Sequence, residues 1–203
     1  MKDFIISSID VSEISDEVLE SHFFAMDNKK KAETLALPSD FKKRQKIAAD
    51  MLCRQMIADR CGIAPERIVI ERNENGKPYA VNADVFFSIS HSADIVACAV
   101  SDKEIGLDIE QIKNIRLKAA EKFADEAEIA YIGNDINRFF EIWTLKEAFF
   151  KCKGTGLGAD IKSVSFNVDE NNVTCSENGY RLFFEEIADG YVCSVCIKNQ
   201  ASC

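Results

Sequence analysis

Hydrophobic residues recur along the chain either at every second position or at helical spacing, and the two periods separate predicted strands from predicted helices. Alternating or short apolar segments predict strands at residues 2–11, 67–72, 85–90, 95–100, 105–112, 163–168, 173–175, 180–186 and 191–197. Helical spacing and capping residues predict helices at residues 15–26, 40–61, 117–123, 126–132 and 137–153. Because helices and strands segregate instead of alternating strictly, the pattern predicts an α+β fold.

Short signals mark where several of these elements begin, end or turn. Pro38-Ser39-Asp40 predicts the start of the longest helix and Gly62 its end. The predicted buried stripe of that helix is Ile47, Met51, Leu52, Met56 and Ile57. Asn75-Gly76 predicts a tight turn, and His91-Ser92-Ala93-Asp94 predicts a turn between two paired strands. Gly154-Thr155-Gly156-Leu157-Gly158 follows a helix, so it predicts a C-cap and flexible loop rather than a phosphate-binding loop.

Length and composition predict a globular protein of the cytoplasm. The chain has 203 residues, of which 47% are hydrophobic, enough for a substantial core. No segment has the apolar length of a membrane span, and the N-terminus lacks the features of a signal peptide. The eight cysteines are scattered, many of them in apolar runs, which favours reduced, buried thiols.

The formal net charge of −9 makes nucleic acid an unfavourable partner. The charge is uneven, however, because residues 27–60 contain nine basic and five acidic side chains. A local basic patch on an acidic protein favours a small phosphate-bearing ligand over a long polyanion. For any single lysine, a solvated helix face is an equally good interpretation.

Acidic residues stand on one predicted strand and one predicted helix. Asp108 and Glu110 are two apart on the strand and therefore point to the same side. Trp143, Glu147 and Lys151 are spaced by four and share one side of the helix. Three carboxylates without nearby His or Cys ligands would suit Mg²⁺ or Mn²⁺ better than Zn²⁺. A solvated acidic face and a surface Glu147–Lys151 ion pair are the structural alternatives.

Four ordered motifs between about residues 75 and 155 carry a resemblance to a known family. They are Asn75-Gly76-Lys77-Pro78, then Ser88-Ile89-Ser90-His91-Ser92, then Ile105-Gly106-Leu107-Asp108-Ile109-Glu110, then Trp143-Thr144-Leu145-Lys146-Glu147-Ala148-Phe149-Phe150-Lys151. In this order they resemble the signature of the phosphopantetheinyl transferases of the surfactin-synthetase-activating type. The set of four is far more specific than any one motif.

The resemblance implies two similar α/β halves packed as a pseudo-dimer, residues 1–101 and 102–203, with the active site between them and a monomer as the active form. It implies transfer of the 4'-phosphopantetheine arm of coenzyme A to a serine of an apo acyl or peptidyl carrier protein. Mg²⁺, or alternatively Mn²⁺, would assist, and adenosine 3',5'-bisphosphate would be released.

The same resemblance assigns roles to residues. Asp108, Glu110 and Glu147 would hold the metal, and one of the two glutamates, with Glu110 as first choice, would take the serine proton. Lys151 would contact the pyrophosphate, whereas Lys146 faces elsewhere on the helix and is a weaker candidate. The residues expected to bind coenzyme A are Lys30, Lys46, Gly76, Lys77, Pro78, His91, Ser92, Asp108 and Lys151. Lys77 is expected to approach a phosphate. The N-terminal match is loose, and Glu33 stands where some members have a second basic residue.

Two other functions stay open at this stage. One is a magnesium-dependent phosphohydrolase that acts on a nucleotide, against which stands the lack of a second cluster of metal ligands. The other is a module that binds carrier proteins or coenzyme A without transfer, although a mere binder gains nothing from three clustered carboxylates. The apolar surface near Phe123–Ile132 is the expected site of carrier recognition.

Overall fold

A computed structural model describes residues 3–156, 161–169 and 172–199. Its strands are β1 (Phe4–Asp10), β2 (Ile70–Arg72), β3 (Pro78–Ala80), β4 (Phe86–Ser92), β5 (Ile95–Ser101), β6 (Ile105–Gln111), β7 (Phe166–Asp169), β8 (Asn172–Cys175), β9 (Tyr180–Glu185) and β10 (Tyr191–Lys198). Its α-helices are α1 (Asp16–Ala25), α2 (Asn28–Leu35), α3 (Asp40–Cys61), α4 (Glu126–Ile132) and α5 (Ile136–Lys153). Short 3-10 helices lie at Val11–Glu13, Pro65–Arg67 and Leu117–Lys122.

The first half is built on a three-stranded antiparallel sheet in the order β1-β5-β4. The central strand β5 is buried along its whole length, and α3 packs on the sheet through apolar side chains such as Leu52, Met56 and Ile57. The Ser39 hydroxyl caps the N-terminus of α3 by accepting from the Lys42 amide. This helix forms one wall of the cleft described below.

The second half repeats this arrangement with a three-stranded antiparallel sheet in the order β6-β10-β9. The 18-residue helix α5 packs on β6 and β10. Asp135 caps its N-terminus, and Gly154 ends it in the left-handed conformation at φ 73°. The helix is buried over most of its last four turns, because its apolar residues contact the sheet on one side and α4 on the other.

The two halves share a hydrophobic core, so no exposed linker separates them. A cluster of buried residues combines Ile95 and Ala97 of β5 with Leu107 of β6 and Val195 of β10. The predicted α+β class with two similar halves is confirmed: each half has a three-stranded antiparallel sheet covered by one long helix.

Serine side chains join the neighbouring edges of the two sheets, where β4 runs beside β6. The Ser88 hydroxyl accepts from the Leu107 amide at 2.9 Å, and the Ser92 hydroxyl accepts from the Gln111 amide at 3.0 Å. Ser88, Ser90 and Ser92 are all buried. Since alternate residues of a strand point to the same side, β4 presents all three hydroxyls to β6.

The helix and strand predictions are largely confirmed, with three corrections. His91 and Ser92 belong to β4 rather than to a turn, which is confined to Ala93 and Asp94. The predicted strand at residues 67–72 begins only at Ile70. Helix α2 and the short strand β3 were not predicted at all.

Two further properties concern the described residues only. Seven cysteines are free thiols, and Cys203 lies outside the described residues, as do Leu157 and Gly158 of the predicted loop. None of the described helices combines the length and apolar character needed to cross a membrane.

Candidate active site

A cleft of about 910 Å³ runs between the two halves. Its walls come from α2 and α3, the β2–β3 hairpin, β4 and the C-terminal part of α5. Eight of the predicted site residues line it, namely Lys30, Lys46, Gly76, Lys77, Pro78, His91, Glu147 and Lys151. Among the described residues, the lining does not include Ser92, Asp108 or Glu110, although all three are tied to it by the contacts below.

Asp108 lies on β6 with only 4% of its surface exposed. Its Oδ1 accepts hydrogen bonds from the Ser90 hydroxyl at 2.7 Å and from the Lys151 ammonium at 2.6 Å. Its Oδ2 is buried and has no hydrogen-bond partner among the described residues. Burial raises the pKa of Asp108 even though Lys151 and Ser90 act in the opposite direction.

Glu110 follows two residues later on the same strand and is held at both carboxylate oxygens. Its Oε2 accepts from the Ser92 hydroxyl at 2.7 Å, and its Oε1 accepts from the Trp143 indole nitrogen at 3.4 Å. Trp143 lies one helical turn before Glu147 on α5. The bond to Trp143 therefore links strand β6, which carries Asp108 and Glu110, to helix α5, which carries Glu147.

Glu147 is buried on α5 at the surface of the cleft. Asp108 and Glu110 together accept four side-chain hydrogen bonds, whereas the Glu147 carboxylate accepts none from the described part of the chain. Burial, and then the negative charges of Asp108 and Glu110, raise the pKa of Glu147 to about 7. The three predicted acids thus interact electrostatically, and the one that faces the cleft is partly protonated near neutral pH.

Lys151 connects the helix to the strand. Its ammonium forms an ion pair with Asp108 and also donates to the Ser90 hydroxyl at 3.0 Å. It therefore pairs with Asp108 instead of forming the alternative ion pair with Glu147 along the helix. Lys146, the weaker candidate, is fully buried on another face and pairs with Glu128 at 2.9 Å, so its contacts are structural.

Gly106 allows α5 to approach β6 closely. A Cβ at this position would lie 1.9 Å from the Ala148 carbonyl oxygen and 2.3 Å from the Cys152 amide nitrogen. Both atoms belong to the backbone of α5, so only glycine permits this contact. Sequence reasoning did not assign Gly106 a role, although a glycine inside a strand is a signal for close backbone approach.

Lys30 and Lys46, the two predicted ligand contacts on α2 and α3, line the cleft but already have acidic partners. Asp50 is nearly buried on α3, and its carboxylate accepts from Lys30 at 2.5 Å, from Arg54 at 2.7 Å and from His22 at 3.0 Å. Burial opposes ionisation of Asp50, but the hydrogen bonds from His22 and Lys30 outweigh it and hold its pKa well below the usual range. Sequence reasoning missed Asp50.

Lys46 and Glu33 form a second pair in this wall, with 3.5 Å between Nζ and Oε2. Glu33 is the residue that departs from the basic type of some family members. It therefore partly neutralises a lysine of the cleft.

The remaining predicted ligand contacts occupy the hairpin and β4. Gly76 forms the predicted turn at φ 81°. The Lys77 ammonium donates to the carbonyl oxygens of Cys152 and Ile105, at 2.9 and 3.3 Å. His91 lines the cleft with part of its ring exposed. Burial of the rest of the ring, and then the positive charge of Lys42, lower its pKa. Ser92 is turned to Glu110 instead of the cleft.

No ready-made metal cage accompanies the acids. Across residues 3–156, 161–169 and 172–199, no group of three or more His, Cys, Asp or Glu side chains is arranged so that it could hold a metal ion as it stands. In the present arrangement Ser90, Ser92, Trp143 and Lys151 occupy carboxylate oxygens of Asp108 and Glu110.

Comparisons with known proteins agree with these motifs. Residues 104–196 match the family model described as the 4'-phosphopantetheinyl transferase superfamily, and residues 16–103 match that of 4'-phosphopantetheinyl transferase, N-terminal. The chain is 34% identical over 161 residues to the 4'-phosphopantetheinyl transferase gsp of Aneurinibacillus migulanus, covering 74% of this chain and 67% of the relative. It is 29% identical over 169 residues to the 4'-phosphopantetheinyl transferase Sfp of Bacillus subtilis, covering 75% and 73%.

Among solved structures, the holo-[acyl-carrier-protein] synthase of Thermotoga maritima aligns at 21% identity with a TM-score of 0.42, covering 48% of this chain and 64% of that one. The two family models adjoin each other and together span most of the chain. The chain therefore belongs to the 4'-phosphopantetheinyl transferase superfamily and is a transferase of its surfactin-synthetase-activating type.

Proposed function

We propose that this chain transfers the 4'-phosphopantetheine arm of coenzyme A to a serine hydroxyl of an apo acyl or peptidyl carrier protein and releases adenosine 3',5'-bisphosphate. The observation that carries the proposal is the grouping of Asp108, Glu110, Glu147 and Lys151 beside a cleft whose other wall is lined by lysines. Carboxylates beside one wall of the cleft and lysine side chains on the other suit a ligand that has a reacting pyrophosphate and a further phosphate.

The acidic residues fit a divalent cation. Asp108 Oδ2 is buried without a partner among the described residues, and mutual repulsion contributes to the raised pKa of Glu147. A cation bound there would coordinate Asp108 Oδ2 and offset the repulsion between the carboxylates. We propose that Asp108, Glu110 and Glu147 hold Mg²⁺, or alternatively Mn²⁺, which are the metals that prefer carboxylate oxygens. When bound, the cation would neutralise charge that develops on the pyrophosphate.

The protein's own residues would position the reacting groups and move the proton. The carrier serine oxygen forms a bond to the β-phosphorus of coenzyme A, while the bond from that phosphorus to the bridging oxygen breaks. Lys151 lines the cleft with its ammonium already oriented by Asp108 and Ser90, so a remaining N–H can stabilise the departing phosphate.

Glu147 is a better proton acceptor than Glu110, which was the first choice from the sequence. Both oxygens of Glu110 accept hydrogen bonds from Ser92 and Trp143, whereas Glu147 faces the cleft. The Glu147 carboxylate accepts no hydrogen bond from the described residues, so an oxygen that the cation does not use can accept the serine proton. In this arrangement Ser92 acts by holding Glu110 rather than by binding coenzyme A.

The nucleotide of coenzyme A would lie along the other residues of the cleft. We propose that Lys30, Lys46 and His91 contact its phosphates, and that the backbone at Gly76 and Pro78 borders the adenine. The carrier is expected to approach near α4, where Ile129 is exposed while Phe123 and Ile132 are buried. Because one chain supplies both walls of the cleft, we also propose that a monomer is active. We propose the cytoplasm as the place where it acts.

Intact-mass analysis of an apo carrier protein, incubated with this protein, coenzyme A and Mg²⁺, tests the proposal. We expect the carrier to gain the mass of one phosphopantetheine arm, and we expect chelator, Glu147→Gln and Lys151→Met to abolish the gain. Lys153→Met is the matched control, since this neighbouring lysine pairs with Glu177 on the surface. It should leave transfer intact.

The same experiment separates the competing functions. Breakdown of coenzyme A without a carrier would support a phosphohydrolase. Binding of coenzyme A with no mass gain on acyl and peptidyl carriers would support a non-catalytic module. Either result would overturn the transferase proposal for these substrates.

A further inference from the structure

The β2–β3 hairpin reaches from one half of the protein to the other. Its base belongs to the first half, where Ile70 and Ala80 pack against the core beneath α3. Its turn, residues 73–77, extends across to the C-terminal end of α5. The hairpin also lines the cleft, through residues that include Arg72, Gly76 and Pro78.

Lys77 attaches the turn of this hairpin to the second half. Its ammonium donates to the carbonyl oxygen of Cys152, in the last turn of α5, and to that of Ile105, in the first residue of β6. Beside it, the Asn75 side-chain amide donates to the carbonyl oxygen of Gly154 at 3.0 Å. Two neighbouring side chains of the hairpin thus bind the end of the same helix.

The chemistry of a helix C-terminus explains why a lysine suits this place. The last carbonyl groups of an α-helix have no partner within the helix and carry a partial negative charge. An ammonium group satisfies these oxygens and is favoured by the helix dipole. Burial lowers the pKa of Lys77, which agrees with an ammonium enclosed between the halves.

We infer that Lys77 is a positioning residue, which fastens the cleft-lining hairpin to the end of α5 and thereby sets the separation of the two walls that enclose coenzyme A. The attachment lies next to Lys151, because Cys152 is the following residue. The inference rests on the proposed function for the identity of the ligand. It replaces the expectation that Lys77 itself approaches a phosphate, since the ammonium is already held by carbonyl oxygens.

Loss of the attachment should weaken ligand binding more than it slows the chemical step. Without Lys77 the hairpin is attached to α5 in only a fraction of the molecules. The apparent affinity for coenzyme A then falls in proportion to that fraction. We expect Lys77→Met to raise the KM for coenzyme A by about tenfold and to change kcat by less than about threefold. Lys77→Arg, which keeps the charge and the donors, should restore much of the affinity.

Hydrogen exchange of the free protein provides a readout that needs neither ligand nor activity. Lys77→Met should increase exchange at the amides of the hairpin turn and of the last turn of α5, while exchange in β5 stays as in the wild type. Lys43→Met is the matched control, because that lysine forms an exposed pair with Asp40 at the start of α3, three residues along the same helix. It should leave exchange at both places unchanged.

A ligand comparison separates positioning from direct contact with a phosphate. If Lys77 positions the wall, Lys77→Met weakens adenosine 3',5'-bisphosphate and adenosine by a similar factor. Weakening confined to the bisphosphate would overturn the inference, as would unchanged exchange in the free protein. A lower Tm with unchanged KM would likewise overturn it, because it would leave Lys77 a purely structural role. Altered exchange in a protein that transfers nothing would retain the attachment and refute the proposed function instead.

Discussion

The close contact at Gly106 leads to the most specific prediction, the effect of Gly106→Ala. The added methyl group would lie 1.9 Å from the Ala148 carbonyl oxygen, whereas ordinary contact begins at 3.4 Å. Helix α5 or strand β6 must therefore move by about 1.5 Å at this point. No side-chain rotation can relieve the overlap, because the second atom met, the Cys152 amide nitrogen, also belongs to the backbone.

The displacement acts on the site because α5 carries Glu147 and Lys151 while β6 carries Asp108. The 2.6 Å contact between Lys151 and Asp108 cannot persist unchanged if these two elements separate by more than an ångström. A misplacement of about 1 Å typically costs about 100-fold in rate. Overpacking of a core typically costs about 1–3 kcal/mol in stability. We therefore expect about a 100-fold lower kcat and a folded protein with a reduced Tm.

The assay is the rate of carrier modification at saturating coenzyme A, measured by intact mass well below the Tm of the variant. Gly179→Ala is the control for lost stability alone. Gly179 has φ 90° and open space where a Cβ would be added, so the substitution strains the backbone without displacing a neighbour. It should lower the Tm and preserve kcat. A kcat within about twofold of wild type for Gly106→Ala would refute the argument that this contact positions the site.

Three further predictions concern polar and charged side chains in and beside the cleft. The raised pKa of Glu147, about 7 against 4.5 for the free side chain, means that without metal the folded state binds its proton more tightly than the unfolded state, so stability should fall as pH rises from 5 to 8. Urea unfolding at pH 5 and pH 8 should show that the free energy of unfolding decreases by about 1–2 kcal/mol over this range. Glu147→Gln should remove this decrease, and a variant with the same pH dependence as the wild type would contradict the assignment. Ser90→Ala should lower kcat about tenfold, since it removes a bond shared with Asp108 and Lys151, and wild-type kcat would show that Ser90 orients neither. Asp50→Asn leaves Lys30 and Arg54 without their carboxylate and should lower the free energy of unfolding by about 3 kcal/mol, whereas a change below about 0.5 kcal/mol would argue against a structural role for this cluster.

The long elements of the fold could be predicted because their signals are local. Ser39 and Gly62 bound α3, and Gly154 ends α5, as capping chemistry requires. Helix α2 was not predicted because it has no apolar stripe, and Thr34 is its only buried residue. The Lys30–Asp50 ion pair connects it to α3, and no local pattern announces such a contact.

The interpretation of His91 as part of a turn failed for a related reason. Polar residues such as His91 and Ser92 favour a turn when they are considered alone, although Ser90 before them was predicted to lie in the strand. In the fold the two serines are buried and bonded to Asp108 and Glu110, so the strand continues through them. The turn itself falls on Ala93, which has φ 43°, and Asp94.

By itself, the sequence determined the family and the type of fold and predicted the residues of the candidate site, because ordered motifs and local periods are written along the chain. The tertiary structure decided the partners. It paired Lys151 with Asp108 rather than with Glu147, turned Ser92 to Glu110 and bound Lys77 to the end of α5. Spacing defines which side chains share a face of one element, but contacts between elements depend on how closely those elements pack, and here that distance is set where Gly106 meets α5.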